Sequence, residues 1–199
     1  MADRPESTPS VTRSAGSGYG SVARLFHWAI AAMVLVQIPA GIAMTSEPLS
    51  GFSDPLFILH KGMGSLLLVL IVARAIWRLW HRPPPFPDYM PPLEQRIAGS
   101  THIVIYVLLI VMAVSGYVRT VGDGFPIELL DALGIPPLIP LMPEVARVML
   151  VVHQFSVIAL IGLVAVHVSA VMRHEMIDRN PALSRMWPPI GGGKGKPDA

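Results

Sequence analysis

The sequence predicts an all-α protein, an integral membrane four-helix bundle with both termini cytoplasmic. Three observations carry that expectation. Hydrophobic residues make up 52% of the 199 and charged residues only 14%, with a mean hydropathy of +0.55, whereas a soluble domain carries about a quarter charged residues. Four apolar stretches each reach the roughly 20 residues that a helix needs to cross the hydrocarbon core. Arginines gather at alternate ends of those stretches, as the positive-inside rule orders them.

The first span is expected near Ala23 to Thr45. The segment before it, MADRPESTPSVTRSAGSGYG, is rich in Ser, Gly, Pro and Thr and carries both charge signs. It has no apolar run leading to a small-residue cleavage site, so residues 1–20 read as a disordered cytoplasmic tail and the first helix as uncleaved. The second span, near Phe57 to Trp80, runs into HRPPPFPDYMPP, which is too proline-rich for helix and reads as an extended strap over the membrane surface. The third span is expected near His102 to Val121 and the fourth near Val148 to Met172. Residues 21–188 make one membrane domain, and residues 189–199, with GGGKGKPDA, read as a flexible C-terminal tail.

With four spans, Arg4, Arg13 and Arg24, then Arg74, Arg78, Arg82 and Arg96, then Arg173, Arg179 and Arg185 all fall on one side. The opposite side holds Glu47, Asp54 and Lys61, and later Arg119, Asp123, Glu128, Asp131, Glu144 and Arg147. The first side is therefore assigned to the cytoplasm, and the chain is expected to be a multi-pass protein of the cytoplasmic membrane. The pI of 9.2 comes from arginines set beside apolar runs, which suits topology and membrane lipid rather than nucleic acid; no nucleic-acid partner is expected. The chain has no cysteine, which excludes disulfides, iron–sulfur clusters, a thiolate haem and a covalent c-type haem. A redox centre here has to use histidine or methionine.

Histidine supplies the pattern. His153 and His167 lie fourteen residues apart on one apolar stretch, close to four helical turns, so both imidazoles share a face about 21 Å apart along the axis. His27 begins the first span on the cytoplasmic side and His60 begins the second on the outer side. Depth alone thus sorts the four into an outer pair, His60 with His153, and an inner pair, His27 with His167. Two neutral imidazoles from different helices are what the axial positions of a haem b require, so two haem b are expected. Histidine in hydrocarbon is otherwise costly. His102, at the cytoplasmic start of the third span, has the depth to replace His27 or His167, or it is an interfacial, hydrogen-bonded residue. His81 and His174 read as interfacial, and methionine remains open as a ligand. Gly62, Gly64, Gly116 and Gly162 suit a slot for a flat group and equally suit close helix packing. Arg74 and Arg78 could meet haem propionates or merely snorkel.

The stretches RLFHWAIAAMVLVQIPAGIAM, LHKGMGSLLLVLIVARAIWRL, HIVIYVLLIVMAVSGY and VHQFSVIALIGLVAVHVSAVMRHEMIDRNPALSRMWP resemble, in order and spacing, the bacterial cytochrome b561 family. The likeness covers about Ser21 to Pro188. It implies membrane electron transfer through two non-covalent haems b, with axial ligands at His27, His60, His153 and His167 and with His102 not a ligand. It also implies ubiquinone or a related quinone as one redox partner. On the outer face it implies a small electron donor, superoxide in the members that look like superoxide:ubiquinone oxidoreductases, or a periplasmic redox protein. The alternative is a cytochrome b anchor and relay subunit of a larger redox complex such as a nickel–iron hydrogenase. Lys61, Arg119 and Arg147 could attract an anionic donor, although ordinary interface-anchoring charge is the better reading. The loop GFPIELLDALGIPPLIPLMP suits a lid over the outer haem and equally a docking surface. Tyr106, Trp28 and Trp187 are candidate walls of a quinone pocket and equally interfacial anchors.

Overall fold

The computed structural model describes residues 18–87, 90–179 and 182–187. Among them there is no strand, and four helical segments are long and apolar enough to cross a membrane, by length and composition. Helix α1 runs Ser21–Ala43, α2 Ser53–Trp80, α3 Pro92–Gly122, and α5 Pro143–Met176. A one-and-a-half-turn helix, α4, Glu128–Ala132, interrupts the connection between α3 and α5, and a 3₁₀ turn, Glu47–Phe52, leads into α2.

The helix starts follow local chemistry. Pro92 and Pro143 occupy the first turns of α3 and α5, where a missing N–H costs no intrahelical bond and the fixed φ suits the helix. Both helices therefore begin earlier than their apolar runs do, α3 at Pro92 rather than near His102 and α5 at Pro143 rather than near Val148. The extension of α3 ahead of His102 opens, after Pro92, with the good helix formers LEQR. His102 consequently lies about three turns into α3 instead of at its start. At the other end of α3, Gly124 takes φ +83, and Phe125 N–H returns to the Thr120 carbonyl at 3.0 Å, the left-handed reversal that glycine permits at a helix end.

Among the spanning helices, α3 packs closely on α5, α1 on α2, and α2 on α3, whereas α5 makes no extensive backbone approach to α1 or α2. The bundle is therefore two tight halves, joined through α2 and α3, with α5 standing off from α1 and α2. Its core, Ile30 and Val34 of α1, Leu67 and Ile71 of α2, Leu109 and Met112 of α3 and Leu160 of α5, lies between the two ends. Many outward residues, such as Leu35, Val69, Ile103, Phe155 and Ile158, are exposed, as helices bathed by lipid require.

Of the expected tail of residues 1–20, only Gly18 to Gly20 are described, and Tyr19 there donates its N–H to the Arg185 carbonyl at 3.0 Å. The remainder of that tail, and residues 189–199, lie outside the described residues. The proline strap is neither helix nor strand over 81–87, and the carbonyl of Pro85 accepts from Arg185 Nη2 at 2.6 Å.

Candidate functional site

The four histidines selected by depth come together in two pairs. His27 of α1 and His167 of α5 have ring centroids 6.4 Å apart at 73°; His60 of α2 and His153 of α5 are 6.3 Å apart at 86°. The first pair lies at the end where α1 begins and α5 ends, here the near level, and the second at the far level. The pairs span the very gap by which α5 stands off from α1 and α2. Leu160, midway between His153 and His167 on the same face of α5, is fully buried, so apolar packing separates the levels.

The far level shows how the sequence positions a ring. His153 Nδ1 lies 2.8 Å from the Met112 carbonyl, which can only accept. Nδ1 therefore carries the proton and the Nε2 lone pair is free. A Cβ placed at Gly116 would come 3.0 Å from His153 Cε1, and one at Gly41 would come 3.0 Å from His60 Cε1, closer than packed carbon atoms ordinarily lie. Each imidazole thus lies flush against a neighbouring helix, where an added methyl would press the ring out of place by a few tenths of an ångström. Gln37 of α1 donates to the His60 carbonyl at 2.9 Å, while His60 Nδ1 is buried with no partner among the described residues.

These features fit a shared metal. Two imidazole nitrogens about 2.0–2.1 Å from one ion on opposite sides put the ring centroids roughly 6–6.5 Å apart. Both pairs meet that separation. His102 approaches His167 at 5.5 Å, too close for the same arrangement. Gly62 faces Leu129 and Gly64 faces the Gln37 amide, so both serve packing, whereas a Cβ at Gly162 would meet nothing within 4 Å.

The near level is cationic. Arg74 Nε donates to Tyr106 Oη at 2.7 Å and Arg74 Nη1 reaches His27 Nδ1 at 3.2 Å; the guanidinia of Arg74 and Arg78 each lie 5.5 Å from the Tyr106 ring centre. Since arginine only donates, His27 is drawn with its proton on Nε2. Ligation through Nε2 needs the opposite tautomer and a displaced Arg74. Tyr106 is therefore an arginine partner inside the bundle, a role that sequence depth did not reveal. Trp28 Nε1 donates to the Met186 carbonyl at 2.9 Å and its ring meets Trp187 edge-on at 5.6 Å, which makes both tryptophans part of a clamp between α1 and the C-terminal segment. His81 stacks on Trp77 at 3.7 Å and His174 pairs with Asp178 at 3.0 Å, in keeping with interfacial roles.

Each far-level cation considered for anion attraction is already paired. Lys61 binds Glu128 and the Pro126 carbonyl, both at 2.7 Å, Arg119 binds Asp123 and Arg147 binds Glu144. The Lys61 contact, with Leu129 seated on Gly62, fastens α4 to α2 directly beside His60. Lys61's hydrogen bond holds the Glu128 carboxyl below the usual glutamate range. The latch is therefore at full strength above that range and is lost only as pH falls through the lowered value. With Glu128 37% exposed, screening keeps its worth to about 1 kcal/mol or less. Leu133, Leu138 and Leu141 beyond it are exposed.

The sequence matches the family described as prokaryotic cytochrome b561 over residues 18–189. It is also similar to cytochrome b561 homolog 2 of Escherichia coli (strain K12), with 29% identity over 170 residues that cover 84% of this chain and 90% of the relative.

Proposed function

This chain belongs to the prokaryotic cytochrome b561 family, multi-pass membrane cytochromes of electron transfer that bind haem b, and we propose that it holds two haems and passes electrons between a donor at the outer face and quinone in the bilayer. The observation that carries this reading is the pair of histidine couples, at 6.3 and 6.4 Å, across the gap between α5 and the α1–α2 half. Haem b bound there supplies a one-electron iron centre at each level. His60 with His153, and His27 with His167, would hold the two irons. The protein's own part is to hold these rings neutral and oriented, to keep water out with Leu67, Ile71 and Leu160, and to tune potentials through burial and the near-level arginines. His102, offset toward His167, is assigned no iron.

The arginine distribution supports a cytoplasmic near level and an inner-membrane location. Superoxide rests on the family likeness, and the paired state of Lys61, Arg119 and Arg147 lends it no electrostatic support. A quinone assay on the isolated protein tests the core of the proposal. The purified chain in lipid nanodiscs, reduced chemically, is expected to be reoxidised by a soluble ubiquinone analogue with both haem signals returning to the ferric form. Haems that stay reduced in the isolated chain and reoxidise only in native membranes would favour an anchor subunit of a larger redox complex.

A further inference from the structure

Arg24, in the first turn of α1, is 3% exposed. Its Nε and Nη2 are both shut off from solvent and meet no acceptor among the described residues. Burial of the head as well as the stem rules out snorkelling. The C-terminal segment is fastened to Tyr19, just ahead of α1, whose N–H donates to the Arg185 carbonyl at 3.0 Å, and to Trp28 of α1, whose Nε1 donates to the Met186 carbonyl at 2.9 Å. Arg24 lies between these two fastenings. Arg74 is engaged with Tyr106 and His27, Arg173 with Glu94 and Asp178, and Arg185 through Nη2 with the carbonyls of Pro84 and Pro85, its Nε being buried without an acceptor among the described residues.

An isolated buried charge is strongly unfavourable, so a fold that encloses one supplies it with an opposite charge. The two free nitrogens define what that charge is. Nε and Nη2 form one edge of the guanidinium, the fork that receives the two oxygens of a carboxylate through parallel N–H bonds. Arg24 also precedes His27 by three residues, so the two share a helix face about one turn apart. We infer that Arg24 binds a propionate carboxylate of the near-level haem. This rests on the dihaem reading above, and it moves the main carboxylate-binding role from Arg74 and Arg78, whose guanidinia are gathered on Tyr106, to a residue that sequence depth marks only as a topology arginine.

The test is a redox titration of the purified holoprotein, with Arg24→Gln and the shape-conserving Arg24→Met beside the wild type and with Arg24→Lys as charge rescue. A cation beside a haem favours its reduced form, so both neutral variants should shift the near-level reduction equilibrium at least about tenfold toward the ferric state, about 59 mV for one electron. Arg24→Lys should recover part of that shift, and the far-level midpoint should stay in place. Repeating the titration in a His60→Ala background, which retains only the near-level haem, assigns the step that moves. The same fork fits a lipid phosphate, so the titrations are run both in phospholipid-free maltoside micelles and in phosphatidylglycerol nanodiscs. A shift present in both supports the propionate. A shift confined to nanodiscs assigns Arg24 to a lipid headgroup and overturns the inference, as does an unmoved near-level midpoint in variants that keep two haems. Wild-type protein without haem would defeat the dihaem reading itself.

Discussion

Replacing His153 or His60 by alanine is expected to remove the far-level haem and leave the near-level one, taking the content from two haems per chain to one. His27→Ala or His167→Ala should do the reverse. The selectivity follows from the geometry: each couple draws its rings from two helices, 6.3 or 6.4 Å apart, and the couples are separated by the packed side chains of Leu67, Ile71 and Leu160. Loss of one imidazole would leave a single histidine to hold the iron at that level, while the other level keeps its helices and its core. His102→Ala is the control and should retain both haems, because His102 lies 5.5 Å from His167 and outside the spacing of a shared ion. Spectra of the four variants, resolved by redox titration, check the assignment. Loss of both haems from every variant would contradict independent levels, and loss of one from His102→Ala would replace a ligand in the set.

The second large effect concerns glycine. Gly116→Val should empty the far level nearly as well as loss of His153 does, because a Cβ there already falls 3.0 Å from the His153 ring, and the bond between His153 Nδ1 and the Met112 carbonyl, one turn away on the same helix, holds the ring against that spot. Overpacking of this kind costs about 1–3 kcal/mol, roughly fivefold to 150-fold in haem affinity. Gly41→Val should act on His60 in the same way. Gly162→Ala, where an added Cβ meets nothing within 4 Å, should keep both haems. Haem content per chain and the size of the far-level redox step measure all three, and a Gly116→Val protein with a wild-type far level would remove the argument that the ring needs a bare backbone beside it.

The spans were legible because a run of about 20 apolar residues admits few other structures, and the histidine pairs because depth along a spanning helix is nearly a count of residues. Helix ends were not. α3 and α5 continue past the apolar runs on Pro92 and Pro143 and on polar helix formers, which hydropathy does not register. The roles of the glycines were equally hidden. Gly41 looks in sequence like any small residue of a membrane helix, and only the approach of His60 from α2 gives it a function, while Gly62, which looked like part of a slot, holds Leu129 of α4. Long-range polar partners also escaped. Nothing near Tyr106 in the chain announces Arg74, and nothing near Trp28 announces Met186, since such pairs depend on which helix faces meet. Arg24 shows the limit most plainly, because its sequence setting beside an apolar run suits an exposed topology residue, yet the C-terminal segment is fastened on either side of it, at Tyr19 and Trp28, and the side chain is buried.

The dihaem arrangement is tested most directly by counting. A pyridine haemochrome assay on the purified, detergent-solubilised chain, read with its reduced-minus-oxidised spectrum, should give two haems b per polypeptide; a value of one would contradict the two-level pairing, and none would contradict the histidine couples as haem ligands altogether.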